Sequence, residues 1–306
     1  MPKYGMNGTF VSSRAPLSRA LLRRITARAG RLALGVAFVV ASATATAATA
    51  GSAEALRQAW RPAEASAAPS PVLAGGLRIE SSQSADVLSG RLLGVLERPF
   101  AEVQAAVADP AGWCAVLILD PNIHACRPAA HTVEVSLGEA AAAVTFEFTR
   151  PIRGSAYAQS RLNAPDGPLG TRDYAIGLEA TPLDPTRTLV QITFSQRFGW
   201  AARMAMAAYF TTAGRKKVGF TVVDRDDAGR PVYVGDLRGG IERNLARYFL
   251  AVEANAASRA VPPAQQPEVR VRTWLAGTER YPAQLREPPE YLERKVAEVR
   301  RQMTGE

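Results

Sequence analysis

Apolar and polar residues alternate with a period of two along four stretches of this chain. Val133, Val135 and Leu137 alternate with Thr132, Glu134 and Ser136, and Val144, Phe146 and Phe148 with Thr145, Glu147 and Thr149. Val190, Ile192 and Phe194 alternate with Gln191, Thr193 and Ser195, and Tyr174, Ile176 and Leu178 continue the set. This period predicts strands with one buried and one wet face. Turn-like Gly138-Glu139 and Leu183 to Thr186 predict antiparallel hairpins between neighbours. Leu77, Ile79 and the run Val87 to Leu96 also read as extended, and Ala164 to Pro168 as a longer loop. Val218 to Val223 and Val232 to Val234 form a further hairpin around Asp226 to Gly229.

Elsewhere the period is helical. Pro99 to Ala108 carries Phe100, Val103 and Val107 at spacings three and four, and Asp109-Pro110 breaks it. A second short helix is expected around Trp113 to Leu119, and an Ala- and Met-rich one over Trp200 to Thr212. The strongest follows Gly239-Gly240, with Ile241, Leu245, Phe249 and Val252 on one face. After Pro288-Pro289, Leu292, Val296, Val299 and Met303 stripe a last helix. A one-sided sheet must bury its apolar face. The order of elements predicts an α+β fold: a curved antiparallel sheet gripping a long C-terminal helix, with an added C-terminal helical tail.

The N-terminal region changes how charge is read. The chain has 37 basic and 28 acidic residues, net +9. Lys3, Arg14, Arg19, Arg23, Arg24, Arg28 and Arg31 all precede the first acid, Glu54. Without those seven, 30 basic residues face 28 acidic ones, net +2. Basic, then apolar from Leu32 to Val40, then small residues to Ala50 is the layout of a secretory signal peptide. The high isoelectric point therefore belongs to the leader, and no nucleic-acid partner is expected. The reading divides the chain into a signal peptide over 1–50, a linker over 51–75 rich in Ala, Ser and Pro, a main domain over 76–260 and a helical extension over 261–306. Its compartment is periplasmic or secreted.

In such a compartment Cys114 and Cys126 favour a disulfide; two buried thiols, or zinc with His124 and His131 nearby, are the alternatives. No metal site and no cofactor is expected: there is no nucleophile elbow and no phosphate loop. Asp224, Asp226 and Gly229 resemble a calcium loop, but Ala228 and Gly235 stand where ligands are required.

Val95-Leu96-Glu97-Arg98-Pro99-Phe100-Ala101-Glu102-Val103, then Asp109-Pro110, Trp113 and the Ile241 to Val252 helix, resemble the START-related, polyketide-cyclase-like helix-grip (SRPBCC) superfamily over Leu88 to Ala257. Trp113-Cys114, Asn122, Cys126, Gly170 to Tyr174 and Val218 to Thr221 are similar to an uncharacterised exported bacterial group within it. The helix near Met204 and the tail after Val261 depart from the minimal plan. The resemblance implies a cavity between sheet and helix. Phe146, Phe148, Tyr174, Ile176, Ile192 and Phe194 would line it, with Val133, Val135 and Val144, or would form a closed core instead. Met206 and Tyr209, with Met204 and Phe210, would form a lid or plain packing. Arg172 would hold a ligand carboxylate or phosphate, or pair with sheet neighbours. Arg215, Lys216 and Lys217 would meet anionic lipid headgroups in a peripheral membrane contact, or be solvated. The expected function is an exported binder or carrier of a lipid-like or other hydrophobic small molecule in the bacterial envelope. The alternatives are a cyclase- or hydrolase-type enzyme using Tyr157, Arg161, Tyr174 and Glu179, or an interaction module docking a protein through the last helix.

Overall fold

The computed structural model describes residues 52–61, 76–138, 142–212 and 214–305. The leader expected over 1–50 lies outside the described residues. Part of the expected linker is ordered: Ala53–Trp60 forms helix α1, with the Ser52 hydroxyl accepting from the Ala55 N–H at 3.1 Å. Leu56 of α1 packs with Leu93 and Leu189, covering a patch on the outer face of the sheet. Leu56, with the half-buried Trp60 beside it, is what anchors this helix.

Among the described residues eight strands make one antiparallel sheet. They are β1 (Arg78–Gln83), β2 (Val87–Leu96), β3 (Ile123–Pro128), β4 (Thr132–Leu137), β5 (Ala142–Arg153), β6 (Ala158–Asp166), β7 (Thr171–Pro182) and β8 (Thr188–Phe198). Their order across the sheet is β1-β2-β8-β7-β6-β5-β4-β3. The strand β6 runs through Ala164 to Asp166, where the sequence suggested a loop; Ala164 pairs with Tyr174 and Asp166 with Arg172. Helices α2 (Phe100–Ala106) and α3 (Pro110–Leu117) bridge β2 to β3, and Asp109 caps α3 by accepting from the Gly112 N–H at 2.7 Å. The disulfide Cys114–Cys126 is formed, tying α3 to β3 with the Cα atoms 5.3 Å apart.

Helix α4 (Trp200–Thr211) leaves β8, and the small hairpin β9 (Val222–Arg225) and β10 (Pro231–Tyr233) leads into α5 (Asp236–Ser258). The glycine pair expected to precede α5 lies inside it. The helix grips the β1-β2-β8 side of the sheet, and glycines let it come close. A Cβ at Gly90 would stand 2.8 Å from Leu245 Cδ1, and one at Gly94 2.7 Å from the Phe249 ring. The inner face forms cross-strand rows, one running Gly90, Phe194, Ile176, Leu162, Phe148 across five strands. Such direct partners are the unit of sheet stabilisation. The fold is α+β and of helix-grip type.

Residues after Val261 pack on α5. Helices α6 (Gln266–Glu279) and α7 (Pro282–Leu285) cover its side away from the sheet, and α8 (Tyr291–Thr304) packs on α6 and β3. Trp274 and Tyr291 stack at 4.9 Å between ring centroids, and the Tyr291 hydroxyl donates to the Leu119 carbonyl. Val299 and Lys295 of α8 are fully buried, and the Lys295 ammonium donates to the Ile123 carbonyl and meets Glu298 Oε2 at 2.6 Å. The stripe expected on the last helix is thus mostly spent on its own chain, with Met303 left exposed.

Candidate functional site

Helix α4 is rich in Ala and Met and carries a single charge, Arg203. Only Ala202 and Phe210 are buried; Met206 and Tyr209 are half-buried and face α5. On α5, Gly240, Arg243, Asn244 and Arg247 recur at helical spacing along one side, away from Ile241, Leu245 and Phe249 on the sheet side. Between these faces lies a half-open cavity of about 500 Å³, bordered by Pro121-Asn122 after α3 and by Arg286, Glu287 and Pro288 before α8. Asp120 holds the Pro121-Asn122 wall, accepting from the Asn122 backbone N–H at 2.8 Å and its side-chain amide at 3.0 Å.

The cavity is half apolar and half cationic. Met206, Tyr209 and Phe210 supply one wall, with the two rings edge-on at 5.2 Å. Lys217 stands over Tyr209, its ammonium 5.1 Å from the ring centroid and hydrogen-bonded to the phenol oxygen. Opposite, Arg247 is 5% exposed and pairs with Glu287 at 2.8 Å, while its Nε is buried without a partner. Arg243 is 9% exposed; its Nε donates to the Gln284 carbonyl at 3.0 Å. Among the described residues no carboxylate lies within 4.0 Å of its guanidinium. Burial, followed by repulsion from Arg247, lowers the Arg243 pKa to about 10.

Of the residues singled out from sequence, Asn122, Met206, Tyr209, Phe210 and Lys217 line this cavity. The sheet residues sit deeper. Phe146, Ile176, Ile192 and Phe194 are buried in the main core, and Phe148 and Tyr174 pack against it half-buried. An aromatic run crosses from Phe146 to Tyr174 at 6.1 Å and Tyr174 to Phe194 at 6.3 Å. It continues to Tyr248 at 6.4 Å, the residue after Arg247 on α5. Arg172 does not line the cavity. It joins a surface network with Arg197, Asp86 and Asp173, at 3.5 Å from Asp86 and 3.8 Å from Asp173. It is exposed near the start of β7, beside Asp173, whose φ is +53°.

Of the four side chains suggested for an enzyme, Tyr157, Arg161 and Glu179 gather and Tyr174 stands apart. Arg161 and Glu179 stand on the outer face of β6 and β7, 3.8 Å apart, with Gln159 bonding both Glu179 and Tyr157. Burial, then the charge of Glu179, pushes the Tyr157 phenol up. Tyr174 faces the other side, donating to Thr171 Oγ1 at 2.6 Å. A second hollow of about 500 Å³ lies on the outer face among Glu80, Ser82, Ser89, Arg91 and Ser195, where Arg91 and Glu80 pair at 2.6 Å.

Arg243 and Arg247 flank the Ile241 stripe of α5, and the sequence singled out neither as a site residue. The signal was the girth of the helix: Ala246, Tyr248, Leu250 and Ala251 are apolar outside the Ile241 stripe.

No family model and no curated protein matches this chain. Solved structures similar to it include a conserved protein from Geobacillus kaustophilus, with 15% identity, 56% of this chain and 95% of that one covered, and a TM-score of 0.36. A START superfamily protein from Mycobacterium smegmatis has 13% identity over 42% of this chain and 90% of its own, with a TM-score of 0.31. The Zhui aromatase/cyclase from a Streptomyces species has 15% identity over 57% and 96%, with a TM-score of 0.35. Likenesses this remote carry no inference about ligand or activity.

Proposed function

We propose that this protein is an exported binder or carrier of a lipid-like or other hydrophobic small molecule, held between α4, α5 and the segment before α8. The observation that supports this reading is the cavity itself. Its volume of about 500 Å³ suits a small-molecule site, since such sites span roughly 300–1,000 Å³. Its apolar wall is built of Met206, Tyr209 and Phe210, and Met adapts to irregular shapes. The disulfide suits an oxidising compartment outside the cytoplasm. Among the described residues no helix is long and apolar enough to cross a membrane. Trp200 and Met204, 78% and 55% exposed on the outside of α4, and the basic Arg215 and Lys216 that follow would meet an anionic membrane surface peripherally. There the ligand would be collected or delivered.

The test uses a plug. Gly240 has room, because a Cβ there would meet only Phe210 Cζ, at 3.7 Å. Gly240→Leu fills the cavity at a helical position without loss of helix propensity. Titration with the neutral apolar dye N-phenyl-1-naphthylamine is expected to saturate at one per chain in the native protein and to fail in Gly240→Leu. Equal dye binding by both proteins would place the ligand elsewhere.

A further inference from the structure

Arg243 is a buried cation with no carboxylate at salt-bridge distance among the described residues, Glu287 and Asp120 acting on it only from farther off. It is nine-tenths buried, its one hydrogen bond among those described goes from Nε to a backbone carbonyl, and no carboxylate of the described residues lies within 4.0 Å. Uncompensated buried charge is strongly unfavourable, so buried charges are normally paired or hydrogen-bonded throughout. Here the only nearby acid lining the cavity, Glu287, is already engaged by Arg247. Arg247 then crowds Arg243 one helical turn away, and like charges at that spacing repel. The Arg247 Nε is itself buried and unpartnered. Lys217 and Arg286 add two more cations to the lining, against the single carboxylate of Glu287. Two buried guanidinium groups with spare donors therefore face a hollow whose other wall is Met206, Tyr209 and Phe210.

We infer that the ligand of this cavity is an anionic amphiphile, whose carboxylate or phosphate head is received by Arg243 with support from Arg247, and whose apolar chain lies against Met206, Tyr209 and Phe210. The inference rests on the carrier reading above and narrows its ligand class. A guanidinium presents paired N–H donors in a planar fork that matches both head groups. Lys217 and Arg286 supply a positive field that draws such a head inward. Glu287 keeps the site from holding two uncompensated arginines when empty.

Calorimetric titration of the full chain with dodecanoate, dodecyl phosphate, dodecanol and inorganic phosphate tests this. The native protein is expected to bind one or both anionic amphiphiles at least about tenfold tighter than dodecanol. In Arg243→Met and Arg243→Gln, each checked for a native melting transition, the anionic amphiphiles should bind no tighter than dodecanol binds the same variant. Arg243→Lys should retain part of the preference. The two head groups in the panel separate a fatty carboxylate from a phosphate monoester. Dodecanol binding as tightly as the anions, or a preference that survives both Arg243→Met and Arg243→Gln, would overturn the inference and leave the carrier reading standing. Tight binding of inorganic phosphate with no gain from the alkyl chain would overturn it in favour of a free-anion site. No binding of any amphiphile would overturn both.

Discussion

Glu242 decides whether the segment leading from α4 into α5 keeps its place. Its side chain is fully buried. One carboxylate oxygen accepts from the Phe220 and Thr221 backbone N–H groups at 2.6 and 2.8 Å. The other accepts from the Thr221 and Ser81 hydroxyls at 2.7 and 2.6 Å. The Glu242→Ala substitution removes all four acceptor contacts. The two hydroxyls can rotate toward other partners, but the two backbone N–H groups are fixed by a chain that packs against Gly239. A buried donor left unsatisfied costs about 1–3 kcal/mol, so two cost roughly 4 kcal/mol. For a domain of this size that corresponds to a fall in Tm of roughly 8–16 °C. Glu242→Gln keeps one acceptor oxygen and should cost about half as much, and Ser81→Ala about 1 kcal/mol. Urea unfolding monitored by circular dichroism gives the measurement, with an unchanged denaturant slope required for a clean comparison. A Glu242→Ala protein within about 1 kcal/mol of the parent would mean that this carboxylate is not what anchors residues 218–221. The same variant should weaken amphiphile binding, because Lys217 and the end of α4 hang from that segment.

Three further outcomes follow from the packing. Removing the disulfide with Cys114→Ala and Cys126→Ala together, at a sequence separation of 12, should lower unfolding free energy by about 3 kcal/mol; equal urea midpoints for the two proteins would contradict this. Five of the eight tyrosines, Tyr157, Tyr174, Tyr248, Tyr281 and Tyr291, have phenols pushed up, chiefly by burial. A raised phenol pKa stabilises the fold fully below its unfolded value near 10, and that contribution is lost as pH climbs above it; ultraviolet titration should show these five ionising only with alkaline unfolding, and all eight ionising in an intact fold would refute it. Arg243→Met should leave the empty protein more stable than the parent. The fall of the Arg243 pKa to about 10 from an ordinary 12.5 corresponds to roughly 3 kcal/mol of unfavourable burial at neutral pH. A lower thermal midpoint for the variant would show that the guanidinium is satisfied in the empty cavity.

The alternating strands and the long helix were legible because large residues mark their buried faces. Strand β6 was not, although it alternates too. Its inward positions are Ala158, Ser160, Leu162 and Ala164, three of them small, and Trp113 packs beneath, donating to Ser160 Oγ at 2.6 Å. Strand β3 was hidden by a register shift between Ile123 and Ala125 that breaks its alternation. Helix α6 carries four charges in fourteen residues and buries Arg270 with Val271 and Trp274, so its apolar stripe is thin. The apolar half of the cavity showed in the sequence as the Met206–Tyr209 pattern. The cationic half did not, because an arginine buried by elements far along the chain reads the same as one on a wet helix face until those elements are placed.

The most direct test is native mass spectrometry of the protein isolated without organic solvent or detergent, beside Gly240→Leu treated identically. The account predicts one small amphiphilic molecule per chain on the native protein, released at mild activation and detected in negative-ion mode, and a bare Gly240→Leu protein. A native protein that is bare, and that stays bare after incubation with dodecanoate and dodecyl phosphate, would contradict it.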